Sequence, residues 1–274
     1  MRIDNFKIGT DIEVFIQDKN TKKFISAAGD EMSNYLPLIP GSKHSPYYID
    51  EDKEFAMETD NVSVEFLIPP TTVSGDFIKN INFMMKHIQD TLHSGYILVP
   101  KASQVFDEDQ LYTDQALTFG CDQDFNAWTR RFNPKPDTNT KLRSNGFHIH
   151  VGYDDPNRTT SIELIRAMDL FLGLGSILLD TDNERRKIYG KSGACRFKKY
   201  GVEYRVLSSF LISNDNLIKW TFDNTVKAIE FINSNQTVPN ELANDIQDII
   251  NNYKVDEALT LMNQFGIKTE LITI

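Results

Sequence analysis

The chain has 274 residues, with 29 basic and 39 acidic side chains, so its net charge is 29 − 39 = −10 and its pI is about 5.0. This charge argues against general binding to nucleic acid or to an anionic membrane. The sequence has neither the apolar core of a secretion signal nor an apolar run near the roughly 18–20 residues of a membrane span, so we expect a cytoplasmic protein. Two cysteines without C-x-x-C spacing, Cys121 and Cys195, form neither a disulfide framework nor a zinc knuckle.

The N-terminal half contains alternating segments that predict β-strands. These strands are expected at 6–17, 24–26, 46–49 and 62–68, the last closed by Pro69 and Pro70. A helical pattern begins at Ser74 and is expected to end near Gly95, before a strand at 96–100. The following stretch, 101–146, is irregular, and loops of that length in compact domains are more often functional than idle.

The second half continues with strands at 146–152 and 201–206 and with several helices. Thr160 and Glu163 form a capping box before an apolar helix over 164–179, and the pattern is helical from Asn214 onward. Because no β-α-β alternation is present, we predict an α+β fold with an antiparallel sheet. We expect one domain over 1–274, with a helical C-terminal part at about 214–274.

Ionisable residues recur at i and i+2 in three of the predicted strands, and the strand at 62–68 carries one in the same alternating pattern, so each set lies on one face of its strand. The residues are Asp11, Glu13, Glu65, His148, His150, Glu203 and Arg205. Carboxylates gathered on one face repel each other and are costly to desolvate, and hard divalent cations such as Mg²⁺ or Mn²⁺ relieve that conflict. The alternatives are amphipathic edge strands with solvated charges and, for the two histidines, a core pair bonded to backbone carbonyls.

A basic segment at 185–199 contains seven Lys and Arg residues and no acidic residue, and it leads directly into Glu203. Arginine offers forked donors and lysine a point charge, so the segment suits a polyphosphate beside a metal site. The alternative is a solvated basic loop that pairs with the acidic surface. Neither a P-loop motif nor a G-x-G-x-x-G motif is present.

Three further segments carry candidate substrate-binding residues. They are Lys43 and His44 in a Gly-Ser-Lys-His turn, Asp122 and Asp124 before Trp128, and Arg143 before the H-x-H strand. An exposed turn explains the first pair equally well, and a polar turn anchored by Trp128 explains the second.

Taken together, these segments resemble the phage-type amidoligases, which are ATP-dependent carboxylate–amine ligases of the glutamine synthetase and glutamate–cysteine ligase superfamily. The resemblance rests on the order and spacing of motifs spread over about 200 residues. The motifs are GTDIE at 9–13, GSK at 41–43, DNVSVEF at 60–66 with Pro69-Pro70, FGCD at 119–122, the stretch 143–152, LLD at 178–180, YGKSGA at 189–194 and YGVEYR at 200–205.

The resemblance implies a curved antiparallel sheet of the glutamine synthetase-like catalytic fold, with helices packed on its convex face and with ATP and Mg²⁺ (or Mn²⁺) on its concave face. By this resemblance the metal ligands are Asp11, Glu13, Glu65, His148 and Glu203. His150 and Arg185 would lie near the nucleotide phosphates. Arg205 would hold the γ-phosphoryl group, with Arg196 and Lys191 assisting.

Two positions depart from the superfamily pattern. Asp11 stands where the first glutamate of an E-x-E motif is common, and Gly201 replaces the first arginine of an R-x-E-x-R motif. We expect Arg196 to supply the missing positive charge from the basic segment.

The implied reaction is amide or peptide bond formation through an acyl phosphate, with Glu65 or Asp124 accepting the proton of the amine. The alternatives are a metal-dependent hydrolase that uses the H-x-H and carboxylate site, and an inactive nucleotide-binding protein. We expect small-molecule or peptide carboxylate and amine substrates and, for a phage-encoded chain, the cytoplasm of the bacterial host. The sequence identifies neither the two substrates nor the oligomeric state.

Overall fold

The computed structural model of the protein describes residues 1–28, 38–43, 45–117, 123–136 and 140–268. Within these ranges eleven strands form one sheet, two more strands pair separately, and every pair is antiparallel. The strands are β1 Lys7–Asp18, β2 Phe24–Ile25, β3 Tyr47–Tyr48, β4 Ala56–Asp60, β5 Ser63–Thr71, β6 Tyr96–Val99, β7 Ser103–Val105, β8 Phe125–Asn126, β9 Arg131–Phe132, β10 Leu142–Ser144, β11 Phe147–Gly152, β12 Ala194–Lys198 and β13 Gly201–Tyr204.

Strand β1 is the central strand of the sheet, whose order is β3-β4-β5-β1-β11-β13-β12-β8-β9. It pairs with β5 and β11 along its first half and with β2 and β6 along its last residues. The N-terminal strand therefore joins strands from distant parts of the sequence. The prediction of an α+β fold with an antiparallel sheet is confirmed.

Seven α-helices accompany the sheet in the described residues, and a π-helical turn, Asp169–Gly173, joins two of them. No described helix combines the length and apolar character needed to cross a bilayer. The helices are α1 Ser74–Thr91, α2 Asp114–Leu117, α3 Arg158–Met168, α4 Leu174–Leu179, α5 Asp215–Asn233, α6 Ala243–Asn251 and α7 Val255–Gln264.

The main hydrophobic core lies between the longer helices and one face of the sheet. Ile12 in β1 and Phe147 in β11 are fully buried there. The ring of Phe77 in α1 lies 6.3 Å from that of Phe147 and 5.3 Å from that of Phe222 in α5. Because side chains alternate along a strand, the ionisable residues beside these apolar ones face away from the helices.

The structure differs from the sequence prediction at several elements, including β4, β5 and α3. Strand β4 was not predicted, and β5 continues beyond Pro69 and Pro70 to Thr71. Prolines are tolerated there because β5 pairs with β4 only as far as Leu67, which leaves that edge without a strand among the described residues. Helix α3 begins at Arg158, before the predicted capping box, since the side chain of Asn157 already accepts from the backbone N–H of Thr160 at 2.9 Å.

A buried carboxylate, Asp169, links the π-helical turn to the sheet and to two loops. Its Oδ2 accepts from Trp128 Nε1 and from Ser192 Oγ, each at 2.6 Å, and its Oδ1 accepts from the Tyr204 hydroxyl at 2.8 Å. Gly173 makes room for this network, since a Cβ at that position would lie 2.9 Å from the Tyr204 oxygen. Asp169 thus stabilises β13 from the face opposite to its ionisable residues.

This network predicts a pH dependence of stability that Asp169→Asn removes. Burial raises the pKa of Asp169 from 3.8 to about 6, although its three hydrogen bonds lower it in part. The folded protein therefore binds this proton more tightly than the unfolded chain, and stability falls as pH rises from about 4 to about 6, by about 3 kcal/mol. Urea unfolding at a series of pH values should show a flatter profile in Asp169→Asn.

The exposed carboxylate Asp52 provides the matched control, because Asp52→Asn removes one charge without changing the core. Its profile should follow that of the wild type. Identical pH profiles for Asp169→Asn and the wild type would contradict this account of Asp169.

Candidate functional site

The sheet face opposite the core, which we call the polar face, collects ionisable side chains from six neighbouring strands. Antiparallel pairing places Glu13 opposite Glu65, Glu65 opposite Glu58, and His150 opposite Glu203. Directly paired residues share a face, so the side chains converge. The polar face contains Asp11, Glu13, Glu58, Asp60, Glu65, His148, His150, Arg196, Lys198, Glu203 and Arg205.

Its middle is a central cluster of Asp11, His148, His150 and Glu203. Asp11 Oδ1 lies 2.6 Å from His148 Nδ1, and its Oδ2 lies 3.1 Å from His150 Nε2. Asp11, His150 and Glu203 each offer an oxygen or nitrogen atom within 4.8 Å of the others, a spacing that suits one metal ion. His148 contacts Asp11 and lies outside this group of three, which gives it the geometry of a residue that orients a ligand.

Toward β4 lies an acidic cluster of Glu13, Glu58, Asp60 and Glu65. Carboxylate oxygens of Glu13, Asp60 and Glu65 lie within 4.8 Å of one another. Glu13 Oε2 also accepts from the backbone N–H of Gly146 at 2.5 Å, which fixes the direction of that carboxylate. This cluster is a second set of oxygen donors suited to a hard divalent cation.

Burial, followed by repulsion between carboxylates, causes the pKa shifts in the acidic cluster. Burial and the charges of Asp11 and Glu13 raise the pKa of Glu65 well above its ordinary value. Burial and Asp60 raise the pKa of Glu58 to about 7. A divalent cation would remove this repulsion, so the donor set fits a metal ion.

On the other side of the central cluster, basic side chains from β12 and the end of β13 pair with Glu203 and Asp124. Arg205 contacts Glu203 Oε1, and its Nε lies 2.8 Å from Asp124 Oδ1. Lys198 Nζ lies 2.7 Å from Glu203 Oε2, whereas Arg196 Nε is 3.7 Å from Asp124. These cations neutralise two buried carboxylates.

Glu203 is fully buried and nevertheless ionised. Burial and Asp11 raise its pKa, but Arg205, His148 and His150 outweigh them and bring the pKa to about 2. A charged oxygen donor is therefore available at this position across the physiological pH range.

Glycine admits the central cluster at one position. A Cβ at Gly146 would lie 2.1 Å from His148 Nε2, so glycine leaves the space that this imidazole occupies. A Cβ at Gly152 would meet only ordinary contacts with Tyr200, whose hydroxyl forms a short hydrogen bond with His150 Nδ1. Of the two glycines that flank the H-x-H strand, Gly146 thus serves close approach of a side chain to the sheet.

Two predicted ligand-binding arginines are directed at backbone carbonyls. Arg185 donates to the carbonyls of Asn145, Val206 and Arg205, and Arg143 donates to those of Ala116, Thr140 and Leu142. Both guanidinium groups are buried. These backbone contacts give both arginines a positioning role in the loops and strand ends around the polar face.

The remaining predicted residues lie at the edges of the polar face or outside the described residues. Lys43 Nζ lies 2.9 Å from Asp60 Oδ2, so it faces the acidic cluster. Lys191 lines a small pocket that also contacts Asp124. His44 and Asp122 lie outside the described residues.

Two cavities open onto the polar face. The first, about 40 Å³, is polar and is lined by residues of the acidic cluster together with Arg143, Arg185 and Arg205. The second is a larger groove of about 530 Å³ beside His150, which we call the groove. Its largely apolar lining includes Lys7, Gly9, Leu67, Pro70, Lys199 and Tyr200.

Sequence reasoning gave no role to Glu58, Asp60, Lys198 or Tyr200. The first two obey the same alternation as Asp11 and Glu13, in the segment Met-Glu-Thr-Asp at 57–60, so this pattern could have identified them. Lys198 belongs to the predicted basic segment, but the β12–β13 register places it opposite Gly201, and only the side-chain geometry shows that its Nζ reaches Glu203.

Comparison with known proteins gives a family match over part of the chain and a similarity in fold. Residues 141–258 match the family model described as phage phiEco32-like COOH.NH2 ligase-type 2. The resemblance to phage-type carboxylate–amine ligases is thereby confirmed. This match includes β11 and β13 and excludes β1 and β5, which carry half of the candidate ligands. No curated protein matches the chain significantly in sequence.

One solved structure supports a similarity in fold, and two others match with lower scores. A bifunctional glutathione synthetase from Pasteurella multocida has a TM-score of 0.51 at 12% identity, covering 97% of this chain and 45% of its own. The match to a glutamine synthetase from Plasmodium falciparum covers 83% of this chain and 52% of that protein, with a TM-score of 0.42 and 12% identity. The match to a glutamine synthase homolog covers 94% of this chain and 66% of that protein, with a TM-score of 0.39 and 12% identity. This chain therefore spans less than two thirds of each of these proteins.

The acidic cluster predicts opposite effects of Glu65→Gln with and without a divalent cation. Without the cation, the variant should be at least as stable as the wild type, because it removes a buried, repelled carboxylate. With Mn²⁺ at about 100 times its Kd, the wild type should gain about 2.7 kcal/mol of stability, and the variant clearly less. Thermal unfolding with and without Mn²⁺ measures both effects.

The exposed Glu54 lies near the start of β4, so Glu54→Gln is a control for the loss of a carboxylate outside the cluster. Its response to Mn²⁺ should equal that of the wild type. An equal Mn²⁺ response in Glu65→Gln would show that Glu65 is not a ligand.

Proposed function

We propose that this chain, with its match to the phage-type carboxylate–amine ligases, is an ATP-dependent ligase that forms an amide bond through an acyl phosphate. One observation carries the proposal: two sets of metal-type donors lie on one sheet face, directly beside Arg205 and Lys198. Acidic donors with adjacent cations suit a metal–polyphosphate complex. We take 1–274 as one catalytic domain on a curved sheet, with a helical part from about 214 onward.

The proposed orientation of the substrates follows the two cavities. The groove is roomy and mostly apolar, so it suits the base and sugar of ATP. From the groove the phosphates would extend past His150 toward Arg205. The polar cavity on the far side would then receive the carboxylate substrate, and the acidic cluster would face the positively charged amine.

The metal ligands divide between the two clusters. Asp11, His150 and Glu203 would hold one divalent ion, and Glu13, Asp60 and Glu65 a second, with His148 orienting Asp11. When bound, such ions neutralise phosphate charge and align the γ-phosphoryl group with the attacking carboxylate.

The first chemical step transfers the γ-phosphoryl group of ATP to an oxygen of the substrate carboxylate and releases ADP. Arg205 would stabilise the charge on the transferred group, assisted by Arg196. Lys191 would contribute a further positive charge from the neighbouring loop. Arg185, which donates to backbone carbonyls, would hold this side of the site in shape.

In the second step the amine attacks the acyl carbon, the C–O bond to phosphate breaks, and the amine loses a proton. Of the two acceptors considered from the sequence, Asp124 is bound by Arg205 at 2.8 Å. Glu65 faces Glu58 across β4 and β5, on the side where the amine would enter. Because Glu65 would be occupied as a ligand of the second ion, we assign proton acceptance to Glu58, its cross-strand neighbour outside both ligand sets.

Loss of Glu203 or Arg205 should abolish ATP-dependent amide formation. Glu203→Ala and Arg205→Ala remove a metal ligand and a phosphoryl-binding cation, and even Arg205→Lys should lower turnover by about 10²-fold or more. ADP release from ATP and Mg²⁺, with pooled amino acids, peptides and amines, measures the reaction, and circular dichroism checks the fold.

Arg131→Ala, at the exposed end of β9, serves as a control for loss of an arginine and should retain full turnover. Near-normal turnover in both alanine variants would overturn the assignment of these two residues. Metal-dependent hydrolysis without ATP would instead favour a hydrolase, and ATP binding without ADP release would favour an inactive nucleotide-binding protein.

A further inference from the structure

Lys198 forms an ion pair with Glu203 of the central cluster, two residues before Tyr200, which lines the groove. It is the last residue of β12 and lies directly opposite Gly201 in β13. Its Nζ is 2.7 Å from Glu203 Oε2, and a third of its side chain is exposed, whereas the Glu203 side chain is fully buried. A solvent-accessible cation thus reaches a buried carboxylate that belongs to a candidate metal site.

The strand opposite Lys198 cannot supply this charge. Gly201 has a φ of +152°, and a Cβ there would lie 2.0 Å from the carbonyl oxygen of Val151, so no larger residue fits. Arg196, which we expect to replace the missing cation, lies directly opposite Glu203 in β13, with its Nη1 4.0 Å from Glu203 Oε1 and its Nε 3.7 Å from Asp124 Oδ1. Its role stays a prediction, and Lys198 makes the shorter contact with Glu203.

The two oxygens of Glu203 have different partners. Arg205 contacts Oε1 and is itself held by Asp124, so it is fixed on both sides. Lys198 contacts Oε2 at the end of a flexible four-carbon chain that reaches the surface. A divalent ion that binds Glu203 must therefore displace Lys198 rather than Arg205.

Lys198 has a second set of acceptors within reach if the groove holds a nucleotide. His150 and Tyr200 line the groove, and Tyr200 lies in the turn that connects β12 to β13. Phosphates that extend from the groove toward Arg205 would pass the end of β12. An ammonium group with three donors binds phosphate oxygens in many geometries.

We propose that Lys198 is an exchangeable cation, which neutralises Glu203 in the metal-free protein and moves to the nucleotide phosphates when a divalent ion binds Glu203. The inference rests on the proposed function and adds a residue and an order of events to it. Lys198 then opposes metal binding in the absence of nucleotide and favours nucleotide binding in the presence of metal.

Lys198→Met tests the exchange, because the exchange predicts opposite effects of this substitution on Mn²⁺ affinity and on ATP affinity. In isothermal titration without nucleotide, Mn²⁺ should bind the variant about three- to tenfold more tightly, since a competing cation is gone. With Mg²⁺ present, ATP should bind about tenfold more weakly, whereas adenosine, which has no phosphates, should bind equally well.

Two variants accompany this test. Lys198→Arg retains the positive charge and should restore ATP affinity. Lys187→Met removes an exposed lysine that pairs with Glu184 in the same basic segment, and it should change neither affinity.

A purely structural role of Lys198 would weaken Mn²⁺ and ATP binding together, and that result overturns the inference. Unchanged ATP affinity in Lys198→Met, alongside wild-type protein that binds ATP, overturns the inference alone. Wild-type protein that binds no ATP overturns the proposed function and this inference with it.

Discussion

Repulsion between carboxylates held side by side is the constraint on which this structure depends. Antiparallel pairing places three glutamates, Glu13, Glu65 and Glu58, in one row across neighbouring strands. Such a row destabilises a sheet unless cations or protons neutralise it. The protein neutralises the other side of the same face with arginine and lysine. Beside the row of glutamates, Lys43 forms an ion pair with Asp60.

The rest of the fold keeps these groups at fixed distances. The apolar face of the sheet packs on α1 and α5, and the Asp169 network ties β13 to the π-helical turn and to the loop at Ser192. Arg143 and Arg185 bind backbone carbonyls at the margins. Rigid support of this kind is what a site needs when its function is to align a polyphosphate with a second substrate.

The polar face could be predicted from sequence because strands with ionisable residues at i and i+2 have an unambiguous geometry. The pattern at Asp11, His148 and Glu203 is of this kind, and these residues lie together. Single arginines carry no such information. Arg185 and Arg143 would look the same in sequence whether they bound phosphate or backbone carbonyls, and only the tertiary structure distinguishes the two.

The reach of side chains across the sheet was the second limit. In a basic segment with seven cations, the register places Arg196 opposite Glu203, and only the side-chain geometry identifies Lys198 as the partner of Glu203 Oε2. Strand β4 was missed because its flanking turns gave weak boundaries, although its alternation matches that of β1. Pairing partners are long-range properties that local patterns do not contain.

The central position of β1 also has a consequence for how the protein is made. Asp11 and His148 are 137 residues apart in sequence but in contact in the sheet. During synthesis on the ribosome, β1 therefore emerges long before the strand beside it, and the contact order of this region is high. Until β11 is available, one edge of an apolar strand stays open to pairing with other chains. The central cluster can therefore form only after β11 has been synthesised and has paired with β1.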